Sequence, residues 1–334
     1  MTLRMELGEN GYDIAVERGC LKKAGSLLSL DRKVLVVTDD GVPEVYAKTV
    51  AKSCKAPTVV TVPQGESSKS FPVLEKLLSR MLAAGFTRSD CVCAVGGGVV
   101  GDLSALAAAL YMRGIDFYNI PTTLLSQADS SIGGKTGIDL DGVKNIVGVF
   151  RQPKKVLIDP DTLSTLPPRQ IAAGHTEIVK AGLIADQKLF SLYESGDAER
   201  DPVTALSRAL AVKKAVVERD EKESGLRRIL NFGHTVGHGI ESVTGLLHGE
   251  CVAVGMIPMC APAVRERLIP VLQRLGLPTA VKADPEKVYA ALLHDKKAAG
   301  GKITAIFVET VGECKQISLS PEALREKIET VVKA

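Results

Sequence analysis

The sequence predicts an α/β N-terminal half built on a parallel sheet, a Rossmann-like variant, followed by a mostly α-helical half. Three observations carry this. From about residue 33, apolar runs rich in β-branched residues alternate with helical patterns, the order that builds a parallel sheet with helices on its faces. The third of these runs leads straight into a glycine-rich turn. Beyond Pro160 the strand signal fades, and helical periodicity dominates residues 168–293. A chain of 334 residues is long for one core, so two domains are expected, 1–160 and 161–334.

The run 33–38, KVLVVT, is continuously apolar and stops at Asp39-Asp40-Gly41, the look of a buried parallel strand. A helical stretch follows Pro43, and 58–62, TVVTV, is the next strand. Pro63-Gln64-Gly65-Glu66-Ser67-Ser68-Lys69 then turns into an amphipathic helix that ends near Ala84. The third strand, 91–95, carries Cys91 and Cys93 two apart and so on one face. It runs into Gly96-Gly97-Gly98-Val99-Val100-Gly101-Asp102, which fits G-x-G-x-x-G. Such glycines let the backbone approach a pyrophosphate, and the helix N-terminus after them favours an anion. The turn follows the third strand rather than the first, and Asp39 at an earlier strand end is placed to hold an adenosine ribose. Nucleotide binding by a variant layout is the functional reading; a turn rich in glycine only for tight packing is the competing one.

Next comes Tyr111-Met112-Arg113-Gly114, a strand over 116–120, the polar run PTTLLSQADSSIGGKTG over 121–137, and Lys144-Asn145. Glycines, lysines and hydroxyls in this density are poor core material, and loops carry function more often than packing. The pattern suits a phosphate or carboxylate held by Lys135, Lys144 and Asn145; a solvated loop with surface lysines is the alternative.

In the helical half, caps and turns are expected at Gly174, Ser195-Gly196, Gly245 and Pro270. Three of the chain's 5 histidines, His234, His238 and His248, fall within one short window. His234 and His238 stand four apart and share a helix face, so this window predicts a catalytic metal site completed by a carboxylate, or else packed helix histidines. Glu177 is the candidate carboxylate; it shares a face with Lys180, and an exposed ion pair is the commoner fate of such a pair. Arg227, Asn231, His234 and His238 follow one another at helical spacing and read as one continuous stripe lining a polar cavity. The chain closes with His294-Asp295-Lys296-Lys297 and a β-like run over 302–308 that returns near that cavity.

The bulk composition excludes several classes. The net charge of +3 is small and no basic block tracks a nucleic-acid backbone. The longest apolar stretch, 251–264, is too short and too proline-interrupted to span a bilayer, and the first residues are too charged for a signal peptide. The 7 cysteines are odd in number, widely spaced and without C-x-x-C, which reads as reduced thiols in a cytoplasmic protein.

Together these motifs resemble the 3-dehydroquinate synthase family, within the wider group of sugar-phosphate cyclases. The resemblance runs through PxGExxK at 63–69, GGGxxGD at 96–102, Arg113-Gly114, IPTTLL at 120–125 and DSSxGGKT at 129–136. It continues through Lys144-Asn145, ExxK at 177–180, NFGH at 231–234, HGE at 248–250 and DKK at 295–297. It implies a dehydroquinate synthase-like fold with an NAD-binding half and a metal-binding half. It also implies conversion of 3-deoxy-D-arabino-heptulosonate 7-phosphate to 3-dehydroquinate and phosphate, by transient oxidation, elimination, re-reduction and aldol closure. The metal, zinc or cobalt, is then held by Glu177, His234 and His248, which makes His238 a neighbour of the leaving phosphate rather than a ligand. Asp129, Lys135 and Lys180 are implied around the reacting centre, and Lys213, Arg227 and Asn231 at the substrate carboxylate. Lys135, Asn145, Lys296, His238 and Arg113 are implied at the phosphate, Arg113 from a second subunit, hence a homodimer. The cofactor contacts carry over to Asp39, Glu66, Lys69, Gly97, Gly98, Asp102, Thr122, Thr123, Lys144, Thr165 and Leu166.

Two positions depart from the family pattern: Gly41, where an Asn is common, and His175 beside Glu177, where small apolar residues are common. Two other functions compete. A metal-dependent glycerol or polyol dehydrogenase would have no use for two anion pockets, and a cyclase of another sugar phosphate would lack the carboxylate clamp of Arg227, Lys213 and Asn231.

Overall fold

The computed structural model describes residues 1–296 and 303–333, with side chains for 1–292 and 303–333. The chain divides into two units, Met1–Leu166 and Pro167–Ala334.

The first unit contains nine strands: β1 (Thr2–Met5), β2 (Tyr12–Val16), β3 (Lys33–Asp39), β4 (Ala56–Val62), β5 (Cys91–Gly96), β6 (Asp116–Pro121), β7 (Ile138–Leu140), β8 (Val143–Val147) and β9 (Lys155–Ile158). Seven form one sheet in the order β1-β2-β9-β6-β5-β3-β4, and β7 and β8 form a separate hairpin. Only β1, antiparallel to β2, breaks the parallel sheet. The continuous apolar run of β3 has a direct cause: the strand is covered on both faces. Leu35 and Val37 pack with Val92 and Ala94 against Leu74, Leu77 and Leu103 on one side. Val34 and Val36 pack with Cys91, Cys93 and Val95 against Ala47 and Val50 on the other. The chain leaves β3 toward β4 on one side, while β5 and β6 lie on the other, so the strand order reverses between β3 and β5. A ligand crevice forms outside the carboxyl ends at such a reversal, and Asp39 and Gly96 end those two strands.

The segment 121–137, read from composition as a loop and poor core material, is largely buried, against the alternative of a solvated loop. Ser126–Ser130 is a turn of wide helix, and Ser126, Gln127, Ser131 and Thr136 are buried. Gln127 is anchored in the interior by its amide nitrogen, which faces the carbonyls of Pro121 (3.2 Å) and Asp159 (3.0 Å) and the Thr162 hydroxyl (3.1 Å), while its Oε1 is buried without a partner. Polar residues go inside when partners are fixed there.

In the second unit several helices open on proline, at Pro168, Pro202, Pro262, Pro285 and Pro321. Proline suits the first helical position, because its missing N–H has no intrahelical partner there anyway. Asp201 caps one of these helices through Thr204 N (3.2 Å) and Ser320 another through Ala323 N (3.2 Å). Two expected turns are not turns. Gly174 is buried within the helix Pro168–Ala185. Pro270 lies inside Pro262–Arg274, where the buried stripe Val264, Leu268, Val271 and Leu272 carries the helix past it. The carbonyl that Pro270 deprives of a partner belongs to exposed Glu266, so water can satisfy it. The strand Ile303–Thr310 pairs with Glu313–Leu319 and packs against the segment Leu226–Asn231.

Candidate metal centre and anion-binding residues

Glu177 sits on the helix Pro168–Ala185 and is 3% exposed. Its Oε1 lies 3.9 Å from His234 Nε2 and 4.0 Å from His248 Nε2. Each ring's other nitrogen is engaged: His234 Nδ1 with the Phe232 carbonyl at 3.0 Å, and His248 Nδ1 with Glu241 Oε2 at 3.2 Å. A carbonyl and a carboxylate only accept, so both Nδ1 atoms carry the proton. In their neutral forms the rings turn their Nε2 lone pairs toward Glu177 Oε1, a buried oxygen with no hydrogen-bond donor. Three acceptors facing one another without a proton repel unless a cation joins them. Two His nitrogens and a carboxylate are a zinc-type donor set, and bonds of about 2.0–2.2 Å reach across these separations. Burial, then the charges of Lys180 and the other histidines, hold the His234 imidazole well below its ordinary pKa, in the neutral form a metal needs. For His248 burial opposes protonation, but the hydrogen bond its Nδ1 donates to Glu241 and the charge of Glu177 outweigh it and raise the pKa.

The local sequence explains the convergence. The helix His248–Met256 rides directly on backbone. A Cβ on Gly249 would fall 2.1 Å from the Ala173 carbonyl oxygen, and one on Gly255 2.1 Å from that of Gly233. Glu250 fixes the start of that helix, accepting the Leu247 N–H at 2.7 Å and a bidentate Arg169 at 2.6 Å on each oxygen. Lys180 pairs with the Glu177 carboxylate, and both side chains are 2–3% exposed, so the pair is buried, against the alternative of an exposed one.

The continuous stripe from Arg227 to His238 is also corrected. Leu226–Asn231 is a tight 3₁₀ segment and His234–Val243 a separate helix. Gly233, at φ +78°, breaks them apart, and a Cβ there would meet Met256 Cγ at 2.6 Å and the Val252 carbonyl at 2.8 Å. Arg227 is nonetheless buried, its guanidinium on the Glu221 carbonyl, and the Asn231 amide donates to Glu223 Oε1 at 2.7 Å. Lys213 lies buried on Pro202–Arg219, the helix that packs on this segment. Asp220 anchors the turn by accepting backbone N–H groups of Arg227 (2.9 Å), Gly225 (2.8 Å) and Ser224 (2.8 Å). The Arg227 and Gly225 N–H groups lead in holding its pKa far below the usual carboxylate range. A depressed pKa gives stability that is full above the unfolded value, about pH 4, and is lost as pH falls through the folded one. The stability advantage of the wild type over Asp220→Asn, measured by urea unfolding, is expected to shrink below about pH 4; parallel pH profiles would contradict this anchor.

In the first unit, no side chain caps the N-terminus of the helix Gly98–Leu110 at the glycine turn. The glycines there also make room for neighbours, since a Cβ on Gly96 would fall 2.6 Å from Val100 Cγ2 and one on Gly98 3.0 Å from Ser130 Oγ. Lys69, 4% exposed, joins Asp102 (2.8 Å), Glu66 (3.5 Å) and the Asn145 side chain. Asp39 Oδ1 accepts the N–H groups of Gly41 (2.9 Å) and Val42 (3.0 Å), and burial raises its pKa. At Gly41 the Gln64 amide occupies the space of a side chain: a Cβ on residue 41 would fall 2.3 Å from Gln64 Cδ.

Residues 59–173 match the family model for the 3-dehydroquinate synthase N-terminal region, and 174–298 that for its C-terminal region. The chain is 41% identical to the 3-dehydroquinate synthase of Enterococcus faecalis, covering 97% of this chain and 98% of that one. The chain belongs to the 3-dehydroquinate synthase family. The Streptococcus pneumoniae 3-dehydroquinate synthase is 39% identical over the full length of both chains. Among solved structures, 2-deoxy-scyllo-inosose synthase complexed with carbaglucose-6-phosphate, NAD+ and Co2+ superposes with a TM-score of 0.90 at 26% identity, covering 99% of this chain and 100% of the other. A 2-epi-5-epi-valiolone synthase from Streptomyces hygroscopicus with NAD+ and Zn2+ gives 0.87 at 28% identity over 96% of each chain. A glycerol dehydrogenase from Sinorhizobium meliloti, 18% identical at 0.65 over 95% of each chain, shares the fold alone.

As a member of the 3-dehydroquinate synthase family, the chain is a carbon–oxygen lyase of the shikimate pathway. Of the residues implied by that resemblance, Glu177, Lys180, His234 and His248 come together, with His238 exposed on the rim, its ring 5.4 Å from that of His234. Glu66, Lys69 and Asp102 come together in the first unit and draw in Asn145, expected at the phosphate. Lys135, Lys144 and Arg113 are exposed, while Asp129 and Thr123 are half-buried and Thr122 buried. Thr165 meets the Tyr46 hydroxyl at 3.0 Å, just ahead of Leu166. The side chain of Lys296 and all of Lys297 lie outside the described residues. His175 is a buried residue of the helix Pro168–Ala185. Its Nδ1 is 2.7 Å from the Tyr193 hydroxyl, and burial pushes its pKa down to about 4. Sequence reasoning missed Glu223, Arg169 and Glu241. Glu241 had a signal, standing seven after His234 and three after His238 on one helix face.

Proposed function

We propose that this chain converts 3-deoxy-D-arabino-heptulosonate 7-phosphate to 3-dehydroquinate and phosphate, with a divalent zinc or cobalt ion on Glu177, His234 and His248 and NAD on the first unit. The observation that carries this reading is the set of acceptors of Glu177, His234 and His248 facing one another beside a buried lysine, in a chain of this family. The NAD+ and Co2+ or Zn2+ of the two related cyclases support the cofactor assignment. When bound, the ion polarises the hydroxyl that becomes a carbonyl and NAD takes and returns the hydride, chemistry no side chain here supplies.

The chain's own residues bind and orient. Lys180 sets a fixed positive charge beside Glu177, where an alkoxide oxygen would gain from it. Arg227, Lys213 and Asn231 take the substrate carboxylate, and Arg113, Lys135, Asn145, His238 and Lys296 the phosphate. Anion clamps at both ends of a small substrate hold it in one orientation and can supply much of the rate enhancement. Asp129 completes the group around the reacting centre. Asp39, Glu66, Lys69, Gly97, Gly98, Asp102, Thr122, Thr123, Lys144, Thr165 and Leu166 take the cofactor, with the uncapped N-terminus of Gly98–Leu110 suited to its pyrophosphate. The reading includes a homodimer that shares Arg113, supported by the exposed apolar residues Leu110 and Met112 beside it. It also includes a cytoplasmic setting, supported by 7 cysteines that form no disulfide.

The test is stoichiometry. Phosphate should be released from the heptulosonate phosphate with catalytic NAD and no net NADH; steady NADH accumulation would turn the assignment toward a polyol dehydrogenase. Arg227→Ala is expected to raise KM about 30-fold or more, because a charge-assisted carboxylate contact is worth roughly 2 kcal/mol. Unchanged kinetics in a stably folded variant would remove the carboxylate assignment and with it the distinction from cyclases of sugar phosphates that carry no carboxylate.

A further inference from the structure

We propose that Glu241 is a positioning residue that fixes the ring of His248 and thereby sets the affinity of the metal site. The inference rests on the reading of Glu177, His234 and His248 as ligands. Glu241 lies on the helix His234–Val243, and its side chain is 16% exposed. Its Oε2 stands 3.2 Å from His248 Nδ1. Because the carboxylate only accepts, the proton stays on Nδ1 and the lone pair on Nε2, the nitrogen that faces Glu177 Oε1 at 4.0 Å.

The two ligand histidines reach the same tautomer by different means. His234 donates to the carbonyl of Phe232, part of the turn that starts its own helix, so no side-chain substitution can remove that partner. His248 depends on a side chain from another helix, and that side chain is charged. A carboxylate on the far nitrogen orients an imidazole and raises its basicity, and such partners govern metal affinity. The dependence is sharper because the His248 side chain is 34% exposed against 13% for His234, so packing alone leaves the ring more room to turn.

His238, Glu241 and His248 also lie close enough together to hold an ion by themselves. That grouping makes Glu241 a ligand instead of an orienting group, and the two roles separate by experiment. Zinc affinity of the full chain, stripped by chelation, is measured by competition with a chromophoric chelator, and the visible spectrum is recorded after loading with Co2+. Glu241→Gln is expected to weaken zinc about 10-fold and Glu241→Ala up to about 100-fold. Glu241→Asp should fall between wild type and the alanine variant. The Co2+ bands should shift in each variant while the melting temperature of the metal-free protein stays at the wild-type value. His238→Ala should leave zinc affinity within about twofold, since His238 is no ligand in this scheme. Wild-type affinity in both Glu241→Gln and Glu241→Ala would overturn the proposal, as would a loss in His238→Ala equal to that in Glu241→Ala. A wild-type chain that binds neither zinc nor cobalt would instead overturn the metal reading beneath it.

Discussion

Replacing Glu177 by glutamine is expected to abolish metal-dependent turnover and to destabilise the metal-free fold by about 3–5 kcal/mol. Two effects meet in one residue. The amide is a poor ligand, and loss of a Lewis acid worth several kcal/mol of transition-state stabilisation lowers turnover about 10³-fold or more. Chelation should do the same to the wild type, and added Zn2+ or Co2+ should reverse it. The stability effect comes from Lys180. Its pair with Glu177 is 2–3% exposed, so water cannot compensate the ammonium when the carboxylate charge goes. An exposed i,i+3 pair would cost about 0.5 kcal/mol at most. The double variant Glu177→Gln, Lys180→Met separates the two effects: it should regain most of the lost stability and none of the turnover. Urea unfolding of the metal-free proteins, metal content after dialysis and phosphate release check this. A Glu177→Gln protein that keeps both its metal and its turnover would reduce the Glu177–Lys180 pair to a structural contact.

What the sequence made legible follows from what periodicity can see. Strand β3 was readable because burial on both faces makes its residues continuously apolar, and Cys91 and Cys93 fell on one face because a strand alternates. Strand β1 was not, since it is a short edge strand with Thr2 and Arg4 exposed and Leu3 half-buried, and so no apolar run. The burial of much of the segment 121–137 was not legible, because composition reports what residues prefer, whereas the partners of Gln127 come from residues up to 35 positions away. In the second unit the residue types of a donor set were legible, and spacing alone did not show which of them converge. The stripe drawn through Arg227, Asn231, His234 and His238 assumed one unbroken helix, and Gly233 in the left-handed region starts a new one. The approach of Glu177 to His234 and His248 depends on backbone contacts at Gly249 and Gly255, and a lone glycine in an apolar helical run looks only like a mild weakness of that helix.

Gly249 is therefore the residue at which helix propensity and packing make opposite predictions. Alanine favours a helix over glycine by about 1 kcal/mol, so on local grounds Gly249→Ala should stabilise the helix His248–Met256. Packing reverses the sign. The added Cβ would stand 2.1 Å from the Ala173 oxygen, 2.7 Å from its carbonyl carbon and 2.9 Å from its Cα. All three are backbone atoms inside the helix Pro168–Ala185, so no rotamer change can clear the clash and the helices must move apart. Overpacking of this kind costs about 1–3 kcal/mol and more where the obstruction is rigid, so a net loss of about 3 kcal/mol is expected. Ala173 lies one helical turn before Glu177, and His248 adjoins Gly249. The same displacement therefore carries His248 away from Glu177, and zinc affinity should fall together with stability. Gly41→Ala is the control, because the obstruction there is the flexible end of exposed Gln64, and its effect should stay within about 0.5 kcal/mol. If Gly249→Ala raised the urea midpoint and kept wild-type zinc affinity, local propensity would have won, and the glycine of the His-Gly-Glu motif would need a reason other than the close approach of these two helices.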